Sequence, residues 1–181
     1  MKRISKAAVW RRVIGVGLLV SASGGVIAAE NMHFSGALVA EPCTLRPGDE
    51  DIRLDFGTVI DKYLYTYGRT EGKAFSLVLQ DCDISLGNSV KVTFTGAESA
   101  ALPGLLKPDG GSLAKGIALG LETATGAPLA LNKPSEGYAI GKGNNSLQLQ
   151  VYVKGEPEAI AQKSIGLGAF SAVATFGLEY E

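Results

Sequence analysis

Short runs with a period of two residues, separated by glycine, proline, asparagine and aspartate, fill the chain from about residue 30 onward. Alternating or β-branched residues between such turn formers are typical of β-strands, and no stretch keeps a helical period with caps. We therefore predict an all-β domain, most simply a β-sandwich. The candidate strands are Met32 to Ala40, Ile52 to Val59, Ala74 to Gln80, Val90 to Thr95, Ile117 to Glu122, Leu129 to Leu131, Leu147 to Val153 and Ser171 to Tyr180. Residues 123–128 and 141–145 are predicted to be loops, and no repeat or linker divides the chain.

A segment of different character precedes this pattern. Five basic residues lie within the first twelve positions, an apolar run follows from Val13 to Val20, and small residues fill most of positions 21–29. This order is typical of a secretory signal peptide, and the apolar run is well short of the roughly 20 residues that span a bilayer. We predict that residues 1–29 are a signal peptide cleaved after Ala28 or Ala29, with no membrane span in the mature chain.

The charge of the exported chain excludes one class of partner. The leader holds five of the 17 basic residues and none of the 18 acidic ones, so the mature chain has 12 basic and 18 acidic residues, a net charge of −6. Nucleic-acid binding normally requires a basic surplus, so we expect no nucleic-acid partner.

Export also decides how the two cysteines are interpreted. Cys43 and Cys82 both lie in the mature part, and in an oxidising compartment two cysteines most simply form one disulfide. A metal site is the alternative, but there is no C-x-x-C pair, and the single histidine, His33, does not complete a plausible zinc set with them. We predict the disulfide and no metal or other cofactor.

No residue pattern supports catalysis. The only histidine, His33, lies in a predicted strand on the face away from the apolar side, so no nucleophile has an evident base. The acidic run Asp49 to Asp51 lacks the ligand spacing of a calcium loop and is interpreted as a solvated turn. The Gly141-x-Gly143 sequence does not open a helix, so it is not a phosphate-binding loop. We predict that the protein is not an enzyme.

Both ends of the mature chain carry an unusual apolar alternation. Near the new N-terminus, Met32, Phe34 and Leu38 share one face, which is interrupted at Gly36. At the other end, apolar residues alternate with polar or small ones up to the last residues; they are Phe170, Ala172, Ala174, Phe176, Leu178 and Tyr180. A long apolar strand is an aggregation hazard unless its edge is paired, and the sequence offers no further strand after it.

Several segments, in this order and spacing, resemble the pilin subunits assembled by the chaperone–usher pathway of Gram-negative bacteria. They are Gly36 to Cys43, Phe56 to Val59, Phe75 to Cys82, Val92 to Gly96 and Ala174 to Glu181, together with Gly168, fourteenth from the C-terminus, and the penultimate Tyr180. Within that family, Ala100 to Lys107, Gly116 to Leu119 and Pro157 to Ile160 are similar to the PapK-type minor tip adaptor of P pili. The resemblance covers essentially the whole mature chain.

The resemblance implies an incomplete immunoglobulin-like β-sandwich that lacks its seventh strand and is completed from outside by donor-strand complementation. Residues 30–41 would be the donor-strand extension and residues 42–181 the pilin domain. Met32, Phe34 and Leu38 would fill a neighbour's groove, with Gly36 where that groove is too tight for a side chain. The acceptor groove and chaperone contact would be formed by Gly168, Ala172, Ala174, Phe176, Leu178, Tyr180 and Glu181. The implied partners are a periplasmic pilus chaperone, an outer-membrane usher and neighbouring pilin subunits.

The implied function is that of a minor structural adaptor, exported through the periplasm to a fimbrium on the cell surface, where it supports adhesion. The short extension and the absence of a second domain favour an adaptor over a rod subunit or a two-domain adhesin. A terminator subunit, which accepts no further donor, remains an alternative. A single-domain sugar-binding tip adhesin is another, because Tyr63, Tyr65, Tyr67 and Arg69 would form an aromatic loop able to stack on a sugar ring.

Overall fold

A computed structural model describes residues 35–36, 38 and 40–181. The chain divides into one unit of residues 1–38 and a second unit of residues 39–181. The predicted signal peptide and the predicted donor residues Met32 and Phe34 lie outside the described residues. In the first unit Gly36 and Leu38 are both exposed, and no other atom would crowd a Cβ added at Gly36.

The larger sheet of the second unit has five antiparallel strands. They are β1 (Thr44–Leu45), β2 (Lys73–Cys82), β4 (Ile117–Thr123), β5 (Pro128–Leu129) and β7 (Gly143–Gly155), in the spatial order β1-β2-β7-β4-β5. The long β7 lies in the middle and pairs with both β2 and β4. Six of the seven β4 residues are buried, as expected for an inner strand covered on both faces.

The smaller sheet has three strands: β3 (Ser89–Thr95), β6 (Tyr138–Ala139) and β8 (Thr175–Tyr180), in the order β6-β3-β8. The main core lies between the sheets, with Leu77, Leu79 and Leu149 from the larger sheet against Val90 and Val92 from the smaller one. The prediction of an all-β sandwich is confirmed.

Two short helices were not predicted. The first, α1 (Asp61–Tyr67), ends at Gly68, whose left-handed backbone lets its N–H reach the Leu64 carbonyl. The second, α2 (Pro157–Ala161), has proline at its first position, where the missing N–H costs nothing. Leu64 is the only buried residue of α1 and Ala159 the only one of α2, so no period of 3.6 residues could appear in the sequence.

The predicted strand Ile52 to Val59 is wrong. Ile52, Leu54 and Phe56 are half-buried against the core and alternate with exposed residues, yet residues 52–59 pair with no other described strand. The alternation therefore reports which side chains face the core, which is a necessary condition for a strand but not a sufficient one.

Two other boundaries also differ. The predicted last strand began at Ser171, but β8 begins at Thr175, because Ser171 is bonded instead to the loop around Ser112. The predicted loop 141–145 ends early, because the Asn145 side chain closes the turn onto Gly141 and lets β7 begin at Gly143.

The run Asp49 to Asp51 was predicted to be a solvated turn, but one of its carboxylates is buried. Asp49 is 5% exposed, and its carboxylate accepts hydrogen bonds from the Arg46 guanidinium at 2.6 Å and the Val78 N–H at 2.8 Å. Burial raises the pKa of Asp49, but the Val78 N–H and Arg46 outweigh it, so the pKa is lowered from its ordinary value of 3.8. This turn fixes where residues 50–56 leave β1.

Because the pKa of Asp49 is lower in the folded chain, its carboxylate stabilises the fold above about pH 4, and this contribution is lost as the pH falls through the lowered value. We expect Asp49→Asn to reduce the free energy of unfolding at pH 7 by about 1–2 kcal/mol, with a smaller difference from wild type below pH 4. Asp51→Asn, at an exposed pair with Arg53, is the matched control and should change little. Urea titrations at pH 7 and pH 3.5 measure both; equal losses in the two variants would contradict the role of Asp49.

The predicted disulfide between Cys43 and Cys82 is present and closes a loop with a sequence separation of 39. The disulfide ties the residue just before β1 to the last residue of β2, and both cysteines are buried in the main core. We expect the double variant Cys43→Ser, Cys82→Ser to lose roughly 4 kcal/mol of stability, since the unfolded chain gains freedom. A urea midpoint equal to that of the oxidised wild type would show that the disulfide is dispensable.

Candidate functional site

An open apolar groove runs along one side of the sandwich, with a cavity volume of about 920 Å³. One wall is the unpaired segment 50–56, and the other is residues 170–176, which lead into β8. The floor consists of core side chains from both sheets, contributed by Phe75, Phe94, Leu106, Leu119, Leu121 and Val151. The groove therefore reaches the core itself and is not a surface depression.

The groove changes in width along its length. At one end the rings of Phe56 and Phe170, from opposite walls, have centroids 6.0 Å apart. Further along, Ala172 and Ala174 leave space above the floor, and Phe176 lies next to Phe94 at 6.5 Å between centroids. The groove is therefore narrowed where Phe56 and Phe170 meet and is lined by small side chains at Ala172 and Ala174.

The edge of β8 that faces the groove has free hydrogen-bonding groups. Ser89 and Glu181 exchange two backbone hydrogen bonds, of 3.1 and 3.0 Å, so alternate residues of β8 bond to β3. The N–H and C=O groups of Phe176, Leu178 and Tyr180 therefore point to the other edge, where no described residue pairs with them. The same residues are half-buried and face the core.

The β3 side of the preceding segment is already occupied. The Ser171 N–H donates to the Ser112 hydroxyl at 3.1 Å, and the Ser171 carbonyl accepts from the Asp109 N–H at 2.8 Å. The Ala169 carbonyl accepts from Leu113 and Ala114. Residues 169–181 are thus held on one edge and open on the other, which is the arrangement that β-strand addition requires.

The C-terminal residue is also held by the fold. A backbone oxygen of Glu181 accepts the N–H groups of Asn88 and Ser89, and its side chain pairs with Lys91 at 2.5 Å. That contact raises the pKa of Lys91, and burial, with a smaller contribution from Glu41, raises the pKa of Tyr180. These contacts fix the end of β8 against the start of β3.

Three of the residues predicted to form the acceptor groove lie along the observed groove, and two more lie just beyond it. Ala172, Ala174 and Phe176 line the groove, whereas Leu178 and Tyr180 pack on the core just beyond it. Gly168 has a positive φ of 142° and lies so close to Leu113 that a Cβ would clash.

The opposite wall, formed by Ile52, Leu54 and Phe56, was not predicted to belong to the site. Their alternation was visible in the sequence, but it was interpreted as a paired strand. The floor residues were likewise missed, since their positions follow only from the packing of the two sheets.

The three tyrosines predicted to lie in a sugar-binding loop lie instead on the helix α1, and Arg69 follows it. The Tyr65 hydroxyl accepts the Ile165 N–H at 3.2 Å, and Arg69 forms a double hydrogen bond with buried Glu122 at 2.7 and 2.8 Å. Arg69 also lies 3.6 Å from the centre of the Tyr152 ring. Tyr65 therefore ties α1 to the segment after α2, and Arg69 ties the end of α1 to the larger sheet. Of these four residues, only Tyr63 and Tyr67 are exposed.

Comparison with known proteins identifies the group to which this sandwich belongs. The family model described as "Fimbrial protein" matches residues 32–181. The chain belongs to the fimbrial protein family. The Major MR/P fimbria protein of Proteus mirabilis is 32% identical over 174 residues, covering 93% of this chain and 95% of the relative. The Fimbrial adapter PapK of Escherichia coli is 35% identical over 172 residues, covering 90% and 94%.

Solved structures agree with this assignment. The P pilus rod subunit PapA superposes with a TM-score of 0.67 at 26% identity, covering 78% of this chain and 100% of PapA. A structure of a chaperone–usher pilus matches with a TM-score of 0.68 at 26% identity, covering 85% and 96%. The chain is therefore a subunit of a chaperone–usher fimbria on the cell surface, with an incomplete immunoglobulin-like sandwich.

This fimbrial subunit is a structural protein and not an enzyme, as its family and fold indicate. In the part of the chain that the structure covers, neither helix has the length and apolarity needed to cross a membrane.

The tyrosines of α1 give a direct test of their roles. We expect Tyr65→Phe to reduce the free energy of unfolding by about 1 kcal/mol, because the buried Ile165 N–H loses its acceptor. Tyr67→Phe, at a 65% exposed position, is the matched control and should change nothing measurable. Thermal unfolding of the two variants in parallel checks this; equal stability would mean that the Tyr65 hydroxyl has no structural role.

Proposed function

We propose that this chain is a minor, adaptor-type fimbrial subunit that joins its neighbours by donor-strand exchange. The observation that supports this is the apolar groove beside the free edge of β8. A strand added there would find both unpaired backbone groups and a partly exposed core. Residues 42–181 would form the accepting domain, and residues 30–41 would be the segment donated to the next subunit.

The energy of such an insertion comes from two sources. Main-chain hydrogen bonds to the β8 edge give affinity, and alternate side chains in the groove give register. In the donated segment, Met32, Phe34 and Leu38 would be buried in a neighbour, which contributes roughly 4–9 kcal/mol gross before ordering costs. Gly36 would pass a constriction of the kind that Phe56 and Phe170 make in this chain.

The groove must also be filled before assembly. We propose that residues 1–29 direct export, that a periplasmic chaperone strand covers the groove in transit, and that an outer-membrane usher receives the complex. Glu181, which is held at the end of β8 by the N–H groups of Asn88 and Ser89, would contribute a charge-assisted contact to basic residues of the chaperone.

The adaptor role is favoured over the two alternatives. A terminator accepts no donor, whereas this groove is open along Ala172 and Ala174. A sugar-binding adhesin would use the α1 aromatic residues, but Tyr65 and Arg69 are engaged within the fold. The relative PapK is named a fimbrial adapter, and it aligns with 90% of this chain.

Peptide displacement tests the acceptor role. The subunit purified with its chaperone is mixed with peptides covering the N-terminal segments of the pilins encoded alongside it, and chaperone release is followed over time. We expect at least one peptide to release the chaperone. Failure of every peptide would refute donor-strand acceptance, and stable monodisperse subunit produced without any chaperone would do the same.

A pair of substitutions tests the location. Ala172→Phe fills the section of the groove beside the two alanines and should slow release at least tenfold. Leu167→Phe adds a ring at a 73% exposed position outside the groove and should leave the rate within twofold. If Ala172→Phe does not form a chaperone complex, Ala172→Val is used instead, with a smaller slowing expected. Equal rates for the variants at 172 and 167 would place the acceptor surface elsewhere.

A further inference from the structure

We propose that the bond between Asp109 and Gly110 is a site of spontaneous modification, at which Asp109 is converted to isoaspartate and one wall of the groove is loosened. This reaction belongs to the covalent chemistry of the chain and is independent of what fills the groove. Three features favour it: the residue that follows Asp109, the hydrogen bond that holds the Asp109 carboxyl group, and the free N–H of Gly110.

The dipeptide occurs once in this chain. Asp109 is the only aspartate or asparagine in the sequence that is followed by glycine. The backbone nitrogen after an aspartate can attack the aspartate side chain, because the two groups are already close enough to close a five-membered ring. A side chain on the following residue crowds that ring, whereas glycine leaves it open and lets the backbone rotate. The sequence therefore favours ring closure at residues 109 and 110 over every other aspartate.

The two residues lie in an exposed turn. The Ser112 N–H donates to the Asp109 carbonyl at 2.9 Å, which closes a turn of residues 109–112. Asp109, Gly110 and Gly111 are exposed, and a Cβ added at either glycine would meet no atom within 4 Å. The turn therefore has room to change its backbone angles, and water reaches the site.

The Asp109 carboxyl group is held in place while the attacking nitrogen is free. One carboxylate oxygen of Asp109 accepts the Ser171 hydroxyl at 2.9 Å. This hydrogen bond stabilises the negative charge that collects on oxygen when a nucleophile attacks the carboxyl carbon. Of the described residues, none accepts a hydrogen bond from the Gly110 N–H. The nitrogen therefore gives up no hydrogen bond within the fold when it attacks.

The reaction is an isomerisation in two steps. In the first, the Gly110 nitrogen bonds to the carboxyl carbon of protonated Asp109, the nitrogen loses its proton, and one water leaves, which gives a succinimide ring. In the second, one water adds to a ring carbonyl and breaks its bond to nitrogen. Opening at the original backbone carbonyl gives isoaspartate, and opening at the other carbonyl restores aspartate. No oxidant, reductant or cofactor is consumed, and the product has the mass of the original chain.

Isoaspartate alters the contacts that hold the groove wall. The main chain at residue 109 gains one carbon atom, and the carbonyl that accepts the Ser112 N–H becomes a carboxylate off the main chain. Ser112 is buried, and its hydroxyl bonds both the N–H and the carbonyl of Ser171 at 3.1 Å. Ser171 lies between Phe170 and Ala172, which line the groove. A shift at Ser112 therefore loosens this wall, and the altered form accumulates with the age of the subunit.

The formation of isoaspartate is tested by ageing the subunit–chaperone complex for several weeks at neutral pH and body temperature. Isoaspartate is measured by enzymatic methylation with an isoaspartyl methyltransferase and by electron-transfer fragmentation of the peptide that contains residue 109. We expect isoaspartate at residue 109 and none measurable at Asp83. That residue is also exposed and also accepts a serine hydroxyl, from Ser85 at 2.7 Å, but it precedes the β-branched Ile84.

Gly110→Ala is the matched variant. Because the φ of Gly110 is not positive and a Cβ there meets no neighbour, the variant should fold as the wild type does. Its methyl group crowds the ring, so isoaspartate should form at least about tenfold more slowly. Equal rates in the wild type and Gly110→Ala would overturn the proposal, as would the absence of isoaspartate from the aged wild type.

Asp109→Asn changes the rate in the opposite direction. An amide reacts without first taking up a proton and loses ammonia, so the same ring should form at least about tenfold faster than in the wild type. The product is then aspartate or isoaspartate, and the change in mass reports the reaction directly. A stable asparagine at residue 109 would show that the turn prevents ring closure and would also overturn the proposal.

The effect on the wall is measured by hydrogen–deuterium exchange of the backbone N–H groups of residues 169–174. The wild-type complex is compared before and after ageing, and Gly110→Ala treated in parallel reports changes that residue 109 does not cause. We expect the Ser171 N–H to exchange at least about tenfold faster in the isoaspartate form. Isoaspartate without faster exchange would show that the turn does not hold the wall. Peptide displacement tests the proposed function alone, so failure of that function and failure of this inference are distinguishable.

Discussion

The free edge of β8 is the constraint on which the rest of this domain depends. Phe176, Leu178 and Tyr180 direct their side chains into the core and their backbone groups toward an edge without a described partner. Backbone groups in an apolar setting carry a cost unless they are hydrogen-bonded. The edge and the groove beside it therefore present one requirement, which a single extended segment could meet. The segment 50–56 stays unpaired and forms the opposite wall of the groove.

The remainder of the domain is built to hold this opening in place. In the larger sheet β7 is the central strand, and the disulfide joins Cys43 to the end of β2. Asp49 fixes the turn that starts one wall of the groove, and the loop around Ser112 fixes the start of the other. A second cluster under the helices, which includes Leu64, Val153 and Ile165, supports the far end. The groove is therefore bounded by elements anchored independently of whatever fills it.

The sequence predicted β2, β3, β4 and most of β7 and β8, because each buries one face or both and shows that in its pattern. It failed where burial and pairing are not linked. Residues 52–59 have the alternation of a strand but no neighbour, and α1 and α2 have neighbours but bury a single residue each. Asp49 was assigned to a solvated turn, because its partner Val78 is distant in sequence and gives no local signal.

By itself the sequence determined the class of fold, the cysteine pair and which residues near the C-terminus face inward. These properties follow from local periodicity and from which residue types occur together. Only the tertiary structure decided that the inward residues border an open groove, since alternation cannot show whether a strand edge has a partner. The narrowing of the groove also belongs to the tertiary structure. It depends on Phe56 and Phe170, which are far apart along the chain and meet only because the two walls lie side by side.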